Sequence, residues 1–373
     1  MSELYFETTQ MQISLPLLKQ NISIIKKEVE PKILLGVVKA NATGHDLLSI
    51  SRILMDEGIK RLAVTTVEEG VYLRNNGIHV PILVLGSALP DQAKEIVDYD
   101  LTATISAEPL LFELSKLAVK NNKTVSVHLK IDTGLHRFGI LSEDAVPFCK
   151  EMYHLPNIKW EGIYSHFSNA DIADWETTDQ QFNLFNNVID ELARFGFTFQ
   201  IKHIGGTAVI FSKKYHLDMV RVGIGLFGYP PIDNDNFKKL KPVLTVKSKI
   251  VQIKHLPKGT PIGYGGNYIT SKNEKIALIP LGHSNGYKRG YAKDGYALVN
   301  GKKAKIVGAI SLDQALLNVT DIENVSVGDE AVVLGYQGDQ HLSAHELADW
   351  IGSSVDEILG SWSDRLPRVF VDH

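Results

Sequence analysis

A lysine at the end of an apolar run is the first residue whose position could support chemistry. Residues 34–38 read LLGVV, and Lys39 follows them directly. A continuous aliphatic and β-branched run is typical of a parallel strand buried on both faces. Functional residues of α/β folds gather at the carboxyl ends of such strands, where burial would lower the pKa of an amine and make it a nucleophile or base. The alternative is structural, with the stem packed and the ammonium reaching water.

Two glycine-containing segments follow the last two apolar runs of the first 230 residues. One reads HIGGT at 203–207, and the other reads RVGIG at 221–225. In (β/α)8 barrels the loops after strands 7 and 8 frequently bind a phosphate through backbone N–H groups, and the Thr207 hydroxyl can donate to one as well. The G-x-G-x-x-G pattern at 223–228 lacks a following βαβ unit, which disfavours a dinucleotide site. Ordinary turn glycines are the other explanation.

Eight short apolar runs, separated by longer amphipathic segments, must position these groups. They lie at residues 33–38, 61–64, 81–85, 102–105, 125–131, 159–164, 198–204 and 219–224. Residues 107–121 and 179–195 have the three- and four-residue apolar spacing of helices. The pattern predicts an α/β fold with a (β/α)8 TIM-type barrel. A doubly wound sheet is the competing interpretation, but residues 39–44 do not supply its glycine-rich turn.

The character of the chain changes after the barrel runs. From residue 242 the apolar runs are short and β-branched, and Asn300-Gly301 between two of them is a hairpin signal. Residues 343–359 predict one terminal helix with Ser343 as its N-cap. We therefore predict an N-terminal segment at 1–10 that could belong to the β-rich domain, a barrel at 11–232, and a mostly β C-terminal domain at 233–373.

Composition excludes several classes of function. The 373 residues carry a net charge of −4 without a basic block, so no nucleic-acid partner is expected. The single cysteine, Cys149, permits neither an intrachain disulfide nor a zinc cage, and no metal site is predicted. The N-terminus lacks the features of a signal peptide, and no apolar run approaches the roughly 20 residues of a membrane helix. We expect a cytoplasmic protein with no membrane partner.

An amine at one strand end and an anion cradle at the same barrel mouth are the two anchors that pyridoxal 5′-phosphate needs. At this point the sequence resembles the fold-type III alanine racemases over essentially its whole length. The matching motifs are KANATGH at 39–45, KIDTGLHRFG at 130–139, YSHF at 164–167, RVGI at 221–224, GYG at 263–265 and SLDQ at 311–314. The resemblance implies a PLP-dependent isomerase that supplies D-alanine for peptidoglycan.

The resemblance implies a two-base mechanism. Lys39 would hold the cofactor as a Schiff base and then serve one face of the substrate Cα, while Tyr264 would serve the opposite face. A phenol with an ordinary pKa near 10 needs a cationic neighbourhood to ionise. His166 and Arg221 are the implied members of that network.

Further cofactor contacts are implied by the same resemblance. Arg221 would face the pyridine nitrogen, and because a guanidinium keeps its proton, that nitrogen would stay unprotonated. A poorer electron sink favours proton exchange at Cα over transamination. Arg137 would contact the cofactor's phenolic oxygen and the substrate carboxylate. The other implied cofactor-binding residues are His166, Thr207, Gly223 and Ile224.

The resemblance also assigns residues to the substrate and to assembly. Leu312, through its backbone N–H, and Asp313 are implied to bind the amino acid. Lys130 matches a lysine that carries a carbamate in many family members, and an unmodified Lys130 paired with Asp132 is the alternative. Family members are head-to-tail homodimers in which Tyr264 and Leu312 come from the partner.

Three positions depart from the family pattern. Thr43, His283 and Asp356 stand where the family usually has tyrosines, which predicts a wider and more polar pocket. Alanine is the favoured substrate; serine, or a basic amino acid such as lysine or ornithine paired with Asp356, is the alternative.

Two rival functions use related folds. By resemblance, a decarboxylase would place a glutamate opposite the pyridine nitrogen and a cysteine in its β domain, whereas here Arg221 takes the first position and the only cysteine is Cys149. Non-catalytic PLP-binding proteins are single barrels without a domain that carries Tyr264.

Overall fold

The computed structural model describes residues 8–232 and 234–372, and these divide into two compact units. One unit comprises residues 19–241, and the other comprises residues 8–18 together with 242–372. The sequence placed the boundaries after residues 10 and 232. Strand β1 (Thr9–Ser14) pairs within the sheet of the second unit, and helix α1 (Leu15–Val29) follows it. Residues 1–7 of the predicted N-terminal segment lie outside the described residues.

The unit of residues 19–241 contains a nearly closed barrel of eight parallel strands. These strands are β2 (Ile33–Val37), β3 (Leu62–Val64), β4 (Ile82–Val84), β5 (Thr102–Ile105), β6 (Val125–Asp132), β8 (Ile158–Tyr164), β9 (Ile201–His203) and β10 (Met219–Val222), while the short β7 (Ile140–Leu141) pairs with the end of β6. The last strand, β10, pairs with the first, β2. Backbone hydrogen bonds from Arg221 to Gly205 and from Asp218 to Lys202, of 3.1 and 3.0 Å, bridge β10 and β9. The predicted barrel is confirmed, and the doubly wound sheet is excluded.

α-Helices separate successive barrel strands, as the periodicity predicts, except between β9 and β10, where the connection contains two 3-10 helices. The α-helices are α2 (Leu47–Asp56), α3 (Val67–Asn75), α4 (Ala93–Asp98), α5 (Glu108–Lys120), α6 (Ala145–Met152) and α7 (Trp175–Arg194). In α5 the buried residues include Leu110, Leu114 and Ala118, whose four-residue spacing forms one core-facing stripe. The segments predicted at 107–121 and 179–195 are therefore helical.

The second unit is built on one large sheet, which is antiparallel except where β1 pairs with the last strand of the chain. Its later strands and their neighbours are β11 (Leu244–Lys249), β12 (Gln252–Leu256), β13 (Pro261–Ile262), β14 (Tyr268–Ile269), β15 (Glu274–Ile279), β16 (Tyr296–Val299), β17 (Lys302–Ile306), β18 (Ala315–Asn318), β19 (Glu330–Gln337), β20 (Gln340–Leu342) and β21 (Arg368–Val371). Asn300 and Gly301 join β16 to β17 with φ of +48° and +71°, which confirms the predicted hairpin.

The predicted single helix at 343–359 is wrong in one respect. The chain forms α8 (Ala344–Ile351) and α9 (Val355–Gly360), separated at Gly352, which has φ of +63° and caps α8. A glycine in the left-handed conformation ends a helix because the last carbonyls of the helix then accept hydrogen bonds from the backbone N–H groups that follow. The start is as predicted, because Ser343 and Glu346 form a capping box.

Short 3-10 helices occupy several loops. They are Pro90–Gln92, Ser142–Asp144, Ala170–Ile172, Thr207–Val209, Lys213–Tyr215, Ile224–Phe227, Phe237–Lys239, Tyr264–Gly266, His283–Asn285 and Arg289–Ala292. Across residues 8–232 and 234–372, none of the helices has the length and apolar character needed to cross a membrane.

Candidate active site

Lys39 follows β2 after one residue, Val38, and begins a left-handed turn. The next four residues, Ala40 to Thr43, all have φ between +52° and +55°, and Gly44 ends the turn at +85°. A left-handed conformation costs a non-glycine residue about 1–2 kcal/mol, so four in succession persist only where the surroundings fix them. The turn that carries Lys39 is thus strained and must be held by its neighbours.

Side chains from three places hold this turn. Glu69 accepts the Ala40 N–H at 2.6 Å, and Asn41 accepts the Leu47 N–H at 2.7 Å. The His45 ring bonds carbonyls of the turn through Nδ1 and stacks on Phe227 at 4.0 Å. The position of Lys39 is therefore set by a network of contacts around its backbone.

The side chain of Lys39 differs from its predicted state. We expected it to be buried, and it is exposed. The reason is local: strand β2 ends at Val37, so Lys39 lies beyond the last paired residue, at the start of the exposed part of the turn.

Arg221 is the centre of a buried polar cluster in the same unit. It is 5% exposed, its Nη1 lies 2.8 Å from His203 Nδ1, and its Nη2 lies 2.9 Å from His166 Nδ1. Nη2 also donates to the carbonyls of Ser165 and Ile204 at 3.0 and 2.9 Å. Arginine has only donors, so both imidazole nitrogens must accept. The structure brings Arg221 and His166 together and fixes the His166 proton on Nε2 when that ring is neutral.

The electrostatics keep this cluster in one protonation state. Burial, and then the positive charges of Arg221 and Lys130, hold the pKa of His166 well below its usual range. Burial also lowers the pKa of Arg221 to about 10, which leaves the guanidinium protonated at neutral pH. A neutral imidazole beside a permanent cation is the resulting arrangement.

Lys130 is a buried amine near this cluster. It is 2% exposed, donates to the Ile131 carbonyl at 2.9 Å, and lies 5.4 Å from the centre of the Tyr164 ring. Burial, and then the charge of Arg221, lowers its pKa to about 7, against the opposing attraction of Asp132. Asp132 Oδ1 accepts backbone N–H groups at 134 and 136. Lys130 therefore has a substantial neutral fraction at neutral pH, unlike an ordinary lysine.

Arg137 lies in the segment that follows β6. It is exposed, and its guanidinium lies 5.8 Å over the Phe138 ring. Its charge contributes to the lowered pKa values of Lys130 and His166. Its side chain is thus free to reach a bound anion.

The two glycine-containing loops pack on each other. Gly206 caps the 3-10 helix that begins at Thr207, and Gly223 caps the one that begins at Ile224, neither with a side-chain bond. A β-carbon at Gly225 would lie 2.7 Å from Thr207 Cγ2, so only glycine permits this contact. The first N–H groups of a helix lack partners within it, so the two adjacent N-termini present donors suited to a phosphate.

The second unit carries the other predicted site residues. Tyr264 begins a 3-10 turn and is 76% exposed, and Leu312 is 55% exposed. Asp313 Oδ1 accepts from Arg365 Nη1 at 2.8 Å and from Ser284 Oγ at 2.9 Å, which fixes the segment after Leu312.

The specificity candidates are at different kinds of position. Thr43 is half-buried and lies in the left-handed turn, directly before Gly44, whereas His283 and Asp356 are exposed in the second unit. Asp356 lies in the first turn of α9. Among residues 8–232 and 234–372, no group of histidines, cysteines and carboxylates could hold a metal ion.

Sequence reasoning missed several supporting residues. Glu69 has a local signal, because Thr66 and Glu69 form a capping box at the start of α3, but its bond to Ala40 depends on the fold. Arg365 and His203 have no local signal, since each reaches its partner across a long stretch of sequence.

Known proteins resemble this chain over both units. Residues 13–231 match the family model of the alanine racemase N-terminal domain, and residues 243–370 match that of the alanine racemase C-terminal domain. The alanine racemase of Halothermothrix orenii is 41% identical over 365 residues, covering 97% of this chain and 96% of that protein. The alanine racemase of Carboxydothermus hydrogenoformans is 37% identical over 363 residues, covering 96% and 98%.

Solved structures show the same fold. The alanine racemase of Clostridium difficile 630 superposes with a TM-score of 0.93 at 33% identity, covering 98% of this chain and 96% of that one. The Bacillus anthracis alanine racemase with bound L-Ala-P gives 0.92 at 30% identity, with coverage of 98% and 96%. A histidine racemase from Leuconostoc mesenteroides subsp. sake gives 0.87 at 30% identity, with coverage of 98% and 99%. Since both domain models match in order and similar relatives span nearly the whole length, the chain belongs to the alanine racemase family.

Proposed function

We propose that this protein is a PLP-dependent alanine racemase that interconverts L- and D-alanine with Lys39 and Tyr264 as opposed bases. The observation that carries the proposal is Arg221, buried and donating to the neutral His166. This pair provides a permanent cation and an imidazole N–H in the barrel unit that also carries Lys39. The activity agrees with the family to which the chain belongs.

The residues of the barrel unit fit the cofactor. The adjacent N-termini at Thr207 and Ile224, together with Gly223, would bind the phosphate, and Lys39 would bond the aldehyde carbon. Arg221 would face the ring nitrogen, with His166 and Arg137 completing the contacts. When bound, PLP supplies an electron-withdrawing ring that acidifies the Cα–H of the attached amino acid.

Two side chains would move the proton. The Lys39 amine takes or returns it on one face of Cα, and the Tyr264 phenol acts on the other. A phenol acts as a base only when its surroundings stabilise the phenolate. His166 can donate its Nε2–H to the phenolate, because its Nδ1 already accepts from Arg221. Arg137 and the backbone N–H of Leu312 would hold the substrate carboxylate. Asp313 would order that segment through its contacts with Arg365 and Ser284.

We infer that Tyr264 and Leu312 act in the site of a partner subunit, in a head-to-tail homodimer. Their exposure of 76% and 55% supports this inference, because covering a large apolar side chain and a phenol ring with another surface lowers the free energy. A monomer would then be inactive.

Lys130 is proposed to carry a carbamate. Only a neutral amine attacks carbon dioxide, and the pKa of about 7 makes that form abundant. The ammonium first loses one proton, the neutral nitrogen then bonds the carbon of CO2 as one C=O bond opens to a carboxylate, and a second proton leaves to solvent. A cation thereby becomes an anion among the positive charges of Arg221 and Arg137. That reversal of charge removes the repulsion that lowers the Lys130 pKa.

A second candidate function is a racemase of a polar or basic amino acid. The solved histidine racemase at 30% identity supports it, together with Thr43, His283 and Asp356 in place of tyrosines. An exposed carboxylate such as Asp356 is suited to pair with a basic substrate. Alanine remains the proposed substrate because the curated relatives of highest identity reported above carry that name.

Deuterium exchange at Cα, followed in D2O with the PLP-loaded protein, tests both candidates. The panel is alanine, serine, lysine, ornithine and histidine, each as both enantiomers, with carbon dioxide release monitored in parallel. We expect label and inversion to appear fastest with alanine. If alanine exchanges tenfold more slowly than another amino acid, alanine is not the substrate. Carbon dioxide release would indicate a decarboxylase, and PLP absorbance without exchange a binding protein.

A further inference from the structure

Five side chains of the barrel unit form one continuous chain of hydrogen bonds that starts at Arg221. Arg221 Nη1 lies 2.8 Å from His203 Nδ1, and His203 Nε2 lies 2.9 Å from His128 Nδ1. His128 Nε2 lies 3.2 Å from Glu161 Oε2, and Arg61 contacts both oxygens of Glu161 at 3.0 and 3.1 Å. The two imidazoles are 1% and 0% exposed.

The chemistry of the two ends gives the chain one direction. A guanidinium can only donate, so Nδ1 of His203 must accept from Arg221. A neutral His203 then carries its proton on Nε2 and donates to His128 Nδ1. His128 in turn carries its proton on Nε2 and donates to the carboxylate of Glu161. Arg61 binds both oxygens of that carboxylate, so both ends of the series are fixed. No single hydrogen bond between them can exchange its donor and acceptor without the others doing so.

The strands are shaped to permit these contacts. In the pairing of β6 with β8, Val127 lies opposite Trp160 and His128 lies opposite Gly162, so Glu161 is an extra residue at an irregularity. Such bulges re-aim a side chain. A β-carbon at Gly162 would lie 2.5 Å from His128 Cε1, so only glycine leaves room for the ring.

The remaining surroundings keep the rings neutral and fixed. Burial is the main cause that lowers the pKa of both His128 and His203. Hydrogen bonds from His128 and Arg61 hold the pKa of Glu161 far below its usual range, so it stays charged. The Tyr164 ring stacks on His203 at 4.7 Å, and its hydroxyl lies 2.8 Å from Thr104 Oγ1. His203 therefore has one orientation and one tautomer.

We propose that Arg61, Glu161 and His128 are positioning residues, which hold His203 in its Nε2–H tautomer and thereby fix Arg221. If His203 carried its proton on Nδ1 instead, that N–H would face an N–H of Arg221. Two donors cannot form a hydrogen bond, so the guanidinium would turn away. The ordering of the chain stands without the proposed function. Its catalytic effect rests on that function, because Arg221 is there assigned to the cofactor ring.

Nitrogen NMR of the PLP-loaded protein labelled with 15N-histidine tests the ordering directly. Assignment uses single substitutions of His128 and His203. We expect both residues to show an unprotonated Nδ1 and a protonated Nε2 at pH 7. A protonated Nδ1 on either ring would overturn the proposal, and this readout holds whatever reaction the protein catalyses.

Kinetics of Glu161→Gln test the positioning role. This variant keeps the shape of the side chain and removes its charge. We expect kcat for Cα exchange to fall roughly ten- to hundredfold with KM within about twofold, the His203 resonances to shift, and the absorbance band of bound PLP to move. Gly162→Ala should reproduce these changes by displacing His128 while Glu161 keeps its charge.

Arg74→Met is the matched control for lost stability. Arg74 donates to the carbonyls of Tyr99, Ile78, Val80 and Asp100 and takes no part in the chain. At an equal loss of Tm it should leave the His203 resonances and kcat unchanged. Equal kinetic losses in the control and in Glu161→Gln would overturn the positioning role. If NMR shows the predicted tautomers but the wild type catalyses no Cα exchange, the proposed function is wrong and the ordering of the hydrogen bonds stands.

Discussion

The two units present their site residues in opposite ways. In the barrel unit, Arg221 is 5% exposed and meets four acceptors, and the backbone after Lys39 is held by Glu69 and Asn41. In the β-rich unit, Tyr264 is 76% exposed and Leu312 is 55% exposed. The site residues of the barrel unit are fixed by contacts within that unit, whereas those of the β-rich unit are largely exposed.

This difference has a physical reason. Buried polar groups must be fully hydrogen-bonded, so the electrostatic part of a site is best built inside one rigid scaffold. A base that acts on the opposite face of the substrate must come from a part of the protein outside that scaffold. Under the proposed function, contact with a second chain would supply it on assembly and would link activity to the oligomeric state.

Tyr264→Phe should give the largest effect. Removing one of two bases should lower racemisation by about 10²- to 10⁴-fold. Lys39 still serves its own face, so deuterium should enter one enantiomer without inversion, which chiral chromatography coupled to mass spectrometry will measure.

Tyr268→Phe is the control for that change. Tyr268 lies in the same unit, and its hydroxyl donates to Glu274 at 2.7 Å. The control should keep its rate within about twofold. Equal loss of exchange on both faces in Tyr264→Phe would contradict two separate bases.

Glu69→Ala should give an intermediate effect by loosening the strained turn. Loss of this acceptor leaves the exposed Ala40 N–H to water, at a cost of about 0.5–1.5 kcal/mol for the hydrogen bond. We expect roughly tenfold slower exchange and weaker retention of PLP, measured by equilibrium dialysis. The neighbour Glu68→Ala, which loses only a bond from Gln92, should change neither. Indistinguishable variants would show that the turn does not depend on Glu69.

Lys130 should take up 13C-labelled bicarbonate in a pH-dependent way. With a pKa of about 7, the amine is mostly neutral above that pH and mostly protonated below it. Carbon NMR should therefore show a carbamate signal that grows between pH 6 and 8 and is absent in Lys130→Arg. A signal that persists in that variant, or none at pH 8, would leave Lys130 unmodified.

Asp313→Asn should give the smallest effect. The Asp313 and Arg365 side chains are both more than half exposed, and an ion pair of that kind contributes little because water screens it. We expect KM for alanine to rise about two- to fivefold with kcat unchanged, measured by steady-state kinetics. A loss in kcat beyond tenfold would mean that Asp313 takes part in the chemistry.

Local patterns explain what the sequence could predict. The barrel strands, the Asn300-Gly301 hairpin and the Ser343 capping box each depend on residues a few positions apart, and all are present. The break at Gly352 was missed because a lone glycine within a helical pattern is ambiguous between a tolerated residue and a cap.

The left-handed turn and the series of hydrogen bonds from Arg221 to Glu161 could not be predicted, for a different reason. Alanine and threonine have no intrinsic preference for positive φ, and contacts that include Glu69, Asn41 and His45 hold the turn there. Arg221 and His166 were identified by motif, while His128 and Glu161 acquire their partners through an irregular strand pairing that no periodicity encodes.

Mixing two inactive variants tests the central claim that the site is shared between chains. Lys39→Ala lacks the barrel base and Tyr264→Phe lacks the β-unit base, so neither homodimer has an intact site. In a mixed dimer, Lys39 of one chain meets Tyr264 of the other in one of two sites. Racemisation after unfolding and refolding an equal mixture should reach about a quarter of the wild-type rate. Activity no greater than that of the separate variants, with mixed dimers demonstrated by mass spectrometry, would contradict the account.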